Sequence, residues 1–207
     1  RMARMRDEPI LFRKAFGEMQ TVSYMLGAGT IVLLGASHSW MLLLYTDKFA
    51  DAGSVVSVLS IFGGLRLGRV AMRAAALSTG RSGLIFWTNL AGLVGLLATI
   101  IAIANGQSLP VIASCLLLGE FCSFVVGNWL LTRGKLALRN SDLWIRPVVF
   151  CGIAILIATG ERWLVQGLAP VLGVIISLVV TLLFFGVAAM INPSARRFLK
   201  QRGRPSR

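Results

Sequence analysis

Six runs of apolar residues, 22–45, 52–78, 83–104, 109–131, 147–163 and 168–191, take up most of the chain. A helix that crosses a bilayer needs about 20 mainly apolar residues, because in hydrocarbon every backbone N–H and C=O must find its partner within the segment. Five of the runs reach that length unaided. The run from 147 has a clean apolar stretch only from Pro147 to Gly160, and spans by carrying Glu161, Arg162 and Trp163 at the interface. Hydrophobic residues make up 56% of the chain and charged residues 14%, against about 25% charged in soluble domains. A soluble core cannot cover so much apolar surface. The sequence predicts an all-α, polytopic integral membrane protein of about six transmembrane helices.

The few charges are one-sided, 21 Lys and Arg against 8 Asp and Glu for a net +13, and their placement sets an orientation. Short cytoplasmic loops collect Lys and Arg. With the amino terminus inside, the inner segments hold Arg1, Arg4, Arg6, Arg13, Lys14, Arg81, Arg133, Lys135, Arg139, Arg146 and the cations of the tail from Arg196 to Arg207. The outer turns hold only Lys48 and Arg162. Both termini are therefore expected in the cytoplasm, with a basic segment over 1–21, a six-helix region over 22–191 and a basic tail over 192–207. Trp40 and Trp163 fall near outer ends and Trp129 and Trp144 near inner ends, at the headgroup level that indole rings favour.

The connectors are too short for a soluble catalytic domain. Terminal arginines without an accompanying fold suit anionic lipid headgroups rather than nucleic acid. The chain has no G-x-x-x-x-G-K-[ST], H-E-x-x-H or G-x-S-x-G run and only one histidine, His38, so no catalytic residue, metal site or nucleotide chemistry is expected. Asp47, Asp51 and Glu161 are assigned to outer turns too small to house a glycosyltransferase site. Cys115, Cys122 and Cys151 are odd in number and lie within apolar runs, forming neither a disulfide framework nor a paired zinc motif. Because the chain opens on Arg1 with no signal-like segment, an upstream part is expected.

The second run carries the functional signal. Arg66, Arg69 and Arg73 stand at i, i+3 and i+7, within roughly 60° of one another on a helix. Gly64, Gly68, Ala71 and Ala75 form a stripe of small residues on nearly the opposite side, suited to close helix packing. Each arginine near the bilayer centre costs about 2.5–3.5 kcal/mol, so the three must face water or a partner. Arg73 reads as an interfacial anchor or as cavity lining. Arg66 and Arg69, deeper, read as the wall of a hydrated anion-attracting cavity or as hydrogen-bonding groups between helices.

Glu120 is the one acid expected inside a span, and Ser123 and Gly127 continue its face as a polar stripe suited to cavity lining. It lies about 17 Å below the outer end of its helix and Arg66 about 21 Å below its own, at ~1.5 Å per residue, which predicts an Arg66–Glu120 pair. That pair is either structural or part of proton or sodium coupling. His38 suits proton coupling or an interfacial hydrogen bond. Asn89, next to Thr88, suits cavity lining or a bond across helices.

The stretch from Tyr45 to Ser82 resembles polysaccharide flippases, the Wzx-type branch of the multidrug/oligosaccharidyl-lipid/polysaccharide exporter superfamily. The matching residues are Leu44, Tyr45, Phe49 and Ala52 of the outer turn and Ala76, Leu77, Thr79, Gly80 and Arg81 of the inner one. Thr46 stands where the family usually has glycine, and Glu120 in Leu-Leu-Leu-Gly-Glu-Phe resembles a later family position. The resemblance implies one six-helix lobe, the carboxy-terminal one, of a two-lobe transporter in a bacterial inner membrane. Its partners would be a lipid-linked oligosaccharide and the missing amino-terminal half, and its only cofactor a coupling H+ or Na+. Arg66, Arg69 and Arg73 would bind the diphosphate, while the two lobes alternate access across the membrane. Two other functions are compatible with the residues: a multidrug exporter of the same superfamily, and a non-transporting membrane scaffold of a glycan assembly complex.

Overall fold

The computed structural model describes residues 8–45, 47–49, 51–133, 144–165 and 167–191. Their regular structure is entirely helical. Its α-helices are α1 (Pro9–Leu33), α2 (Ser37–Tyr45), α3 (Ala52–Gly68), α4 (Val70–Ser78), α5 (Ser82–Ala104), α6 (Leu109–Thr132), α7 (Arg146–Val165) and α8 (Pro170–Ile191), with a short 3-10 turn, Asp47–Phe49, after α2. Five segments are long and apolar enough to cross a membrane: Ala52–Ser78, Ser82–Ala104, Leu109–Thr132, Pro147–Val165 and Pro170–Met190. The bent α1–α2 pair makes a sixth if its two helices are counted as one broken span. The chain is a multi-pass membrane protein, and the run from 147 reaches spanning length as a continuous helix.

Two expectations need correction. First, the first helix begins well before 22: residues 9–21 belong to α1. Pro9 opens α1 at a position where its missing N–H breaks no helical bond. Phe12 and Phe16, one turn apart on one face, are buried against Ala71, Met72, Ala75, Ala76, Leu84 and Leu131, while Arg13 and Lys14 stay exposed. Second, the first span is not a straight helix over 22–45: the chain turns at 34–36 and α2 departs at 63°. The cations expected at 1–7, within 134–143 and in the tail over 192–207 lie outside the described residues.

The packing follows the physics of lipid rather than of water. Leu93, Leu97 and Ile101 of α5 and Leu172 and Leu183 of α8 point outward, as hydrocarbon solvates them as well as a core does. Gly64, Gly68, Ala71, Ala75, Gly119 and Ser123 face inward, where small residues let backbones approach. Helices α5 and α6 form the most extensive pairing. A Cβ on Gly95 would lie 2.6 Å from Cα of Gly119, and one on Gly119 2.7 Å from Cα of Gly95, so the two helices touch through their backbones. Around α1 gather α3, α7, α8 and α4. A second apolar cluster, Ala28, Ile31, Val32 and Ala154, closes its far half. Gly80 and Gly106, at φ 71° and 64°, take the left-handed step that ends α4 and α5. After each, the following N–H returns to the third-last helical carbonyl, Arg81 to Ala76 at 2.8 Å and Gln107 to Ala102 at 2.9 Å.

Candidate functional site

The end of α3 reads Gly63, Gly64, Leu65, Arg66, Leu67, Gly68, and each interior glycine weakens a helix by about 1 kcal/mol relative to alanine. Two of the three are demanded by α1. A Cβ on Gly64 would lie 2.7 Å from the Gly27 carbonyl oxygen, and one on Gly68 2.8 Å from the Tyr24 ring. Here the expected continuous helix over 52–78 is interrupted for one residue. The Arg69 N–H is shared between the carbonyls of Leu65 at 3.2 Å and Arg66 at 3.3 Å, the three-centre bond of a turn tightening toward 3-10 geometry.

At this interruption Arg69 projects against α6. Its side chain is 3% exposed, and its Nε lies 3.0 Å from Oε1 of Glu120, which is 9% exposed. The N–H is too bent from the oxygen for a hydrogen bond, so the contact is charge on charge. Nη1 of Arg69 has no hydrogen-bond partner among the described residues. Arg66 is exposed, with its Cζ 5.9 Å from the Phe62 ring centroid. Arg73 is half-buried and donates from Nη2 to Oδ1 of exposed Asn89 at 3.4 Å. Arg66 and Arg73 remain close enough for their charges to act on Arg69. Three cations and one carboxylate therefore share this region, an excess of two positive charges.

The partner of Glu120 is thus Arg69, not Arg66. Counting depth along straight helices missed it because depth fixes a level in the membrane and not the side of α3 that meets α6, where Arg69 is buried and Arg66 is not. Ser123 is buried and donates to the Thr88 carbonyl at 2.8 Å, which ties α6 to α5. Asn89 does join the arginines, through Arg73. His38 is not brought to Glu120. It sits on the first turn of α2 against Gly53, about 24 Å along α3 from Arg69 at ~1.5 Å per residue. There, exposed, it lines a separate cavity of about 480 Å³ with Ser39, Leu42, Arg162 and Leu168.

Sequence reasoning missed several buried polar groups. Gln20 donates to the Tyr24 hydroxyl at 3.0 Å inside the bundle, and the two stand i, i+4 after Phe16, a spacing that marks one inward face. Asn128 is 1% exposed on α6. Glu161, assigned above to the interface and an outer turn, is 2% exposed within α7, because the chain at Gly35 packs directly on it. No protein-family model, curated protein or solved structure matches the chain, so the chemistry of this site rests on its own residues.

Proposed function

We propose that the chain is one six-helix lobe of a two-lobe flippase that carries a lipid-linked oligosaccharide, probe-able as an undecaprenyl-diphosphate-linked glycan, across a bacterial inner membrane by alternating access. The reading rests on one observation, the excess of positive charge around Arg69. Three arginines within a span cost on the order of 8–10 kcal/mol, and Glu120, 3.0 Å from Arg69, offsets only one of them. An anion relieves the rest. A diphosphate matches guanidinium groups in charge and in bidentate hydrogen-bonding geometry, and its lipid tail stays in the bilayer while the headgroup crosses. A second lobe supplies the opposite wall, and an H+ or Na+ gradient supplies the drive. A cationic drug, the cargo of a multidrug exporter, would be repelled from the same surface.

The Arg69–Glu120 contact itself favours a second reading, a membrane scaffold in which the arginines only hold helices together. Lipid-linked glycan accumulation in flippase-deficient cells separates the two readings. The intact two-lobe parent should clear the intermediate, whereas Arg66→Gln/Arg69→Gln in that parent and the 207-residue chain alone, at matched membrane levels, should not. Clearance by the double variant equal to that of the parent makes the arginines structural and leaves the scaffold.

A further inference from the structure

Where α1 gives way to α2, at the 63° bend, three helices hold the elbow. The Leu33 carbonyl accepts from Ser177 Oγ of α8 at 2.7 Å and from Trp40 Nε1 of α2 at 3.1 Å, while the Ser37 N–H that would bond it in a straight helix goes to Leu34 instead. Gly35 is pressed on α7: a Cβ there would lie 2.6 Å from Oε2 of Glu161 and 2.9 Å from Cα of Ala158.

Glu161 is the group that this arrangement leaves without a partner. It is 2% exposed, and neither carboxyl oxygen accepts a hydrogen bond from a described residue. The Ser177 hydroxyl is near enough to interact with it, yet its proton is committed to Leu33. No counter-charge faces the carboxyl among the described residues. Helix α8 carries no charged side chain, the half of α1 that leads to the elbow contributes only Tyr24 as a titratable group, and Arg66 lies near the other end of α3. Cys151 is about 15 Å back along α7. Arg162, next to Glu161, is exposed and lines the neighbouring cavity with exposed His38 of α2. Lys48 and Asp51, before α3, are exposed as well. A bare carboxylate in such a place is too costly to keep.

We infer that Glu161 is a proton-binding site, and that its proton is donated to Ser177 Oγ, so that Glu161, Ser177 and the Leu33 carbonyl form one relay across α7, α8 and α1. In the protonated state each O–H is paired: the carboxyl O–H with the hydroxyl oxygen, and the hydroxyl O–H with the carbonyl. When the proton leaves, one hydroxyl donor faces two acceptors, and the charged one is stronger. Ser177 then turns to Glu161, Leu33 keeps only Trp40, and the elbow loses one of its two pins. Gly35 borders both the carboxyl and the cavity lined by His38 and Arg162, which is the route for the proton. Use of this site to couple a proton gradient to transport rests on the function proposed above; the proton site itself does not.

Hydrogen–deuterium exchange over residues 33–40 of the chain in lipid nanodiscs tests the relay, with wild type and Glu161→Gln compared at matched pH so that the intrinsic pH dependence of exchange cancels. Glutamine is neutral at every pH and keeps an N–H donor for Ser177. The ratio of wild-type to variant exchange should be near one in acid and rise about fivefold, the worth of one hydrogen bond, as pH increases. With Ser177→Ala added to both, the ratio should stay near one. A flat wild-type ratio overturns the proposal.

Dicyclohexylcarbodiimide, which attacks protonated carboxyls in apolar surroundings, reads occupancy in the wild type and decides the matter alone if Glu161→Gln does not fold. It should label Glu161, not ion-paired Glu120, and less so as pH rises. Absence of label on Glu161 at every pH overturns the proposal. Suppression of the label by NaCl but not by choline chloride at constant pH assigns the carboxyl to a metal cation and also overturns it. Neither readout involves a glycan, so a failed transport reading and a failed proton site are told apart.

Discussion

Removing either half of the Arg69–Glu120 pair should cost far more than removing both. At 3.0 Å the attraction is about 5.5 kcal/mol for an effective dielectric constant of 20. Desolvation costs several kcal/mol per ion, so the intact pair sums to little. Loss of one partner deletes the attraction and leaves the other ion's desolvation, about 3–5 kcal/mol. Glu120→Met should fall at the upper end, since the stranded Arg69 still has Nη1 unpartnered and Arg66 and Arg73 nearby. Arg69→Met should fall at the lower end, because it also removes repulsion between like charges. The double variant should return to within about 1 kcal/mol of the parent, a coupling visible as strong non-additivity. Unfolding in mixed micelles of rising dodecyl sulfate content, followed by tryptophan fluorescence, gives the four stabilities. Singles costing under about 1 kcal/mol each, with additive effects, would refute a buried pair. Coupling of Glu120 to Arg66→Met in place of Arg69→Met would refute the pairing.

Neighbouring glycines on α3 should respond with opposite signs in the same assay. Gly63→Ala, where a Cβ meets nothing within 4 Å, should stabilise by up to about 1 kcal/mol, whereas Gly64→Ala, 2.7 Å from the Gly27 carbonyl oxygen, should destabilise by about 1–3 kcal/mol. Gly95→Ala forces α5 off α6 and should cost a similar ~1–3 kcal/mol; an unchanged unfolding midpoint would refute the backbone contact. Ser123→Ala removes one interhelical bond and should lower stability in the same assay by only about 0.6 kcal/mol.

Much of this architecture is legible in the residues. Spanning runs announce themselves by length, and the stripe of Gly64, Gly68, Ala71 and Ala75 does turn inward, with all four buried. Breaks are harder to read. Leu34, Gly35 and Ala36 lie in an unbroken apolar run, and the bend there is held by Ser177 and Glu161, more than a hundred positions later in the chain. Likewise the choice between Arg66 and Arg69 turns on which side of α3 meets α6, where Arg69 is buried and Arg66 is exposed. Periodicity along one helix carries no information about pressure from another. Ser123 is ambiguous for a related reason: a polar residue on an inward face can serve a cavity or a neighbouring backbone, and its bond to the Thr88 carbonyl appears only with the approach of α5.

The order of the helices along the chain shapes how the protein enters the membrane. Arg69 leaves the ribosome well before Glu120, since the whole of α5 lies between them, and so passes through the insertion machinery without its counter-charge. The segment that carries it, Ala52–Ser78, has the lowest mean hydropathy of the five long spans, 1.5, whereas the next two have 2.0 and 2.1. Those two, joined at Gly106 and closed by glycine-to-glycine contact, are each long and apolar enough to cross without a basic residue. Insertion of the arginine-bearing segment is thus completed by a hairpin synthesised after it, and truncation after Ala104 should leave that segment poorly integrated although every one of its own residues is present.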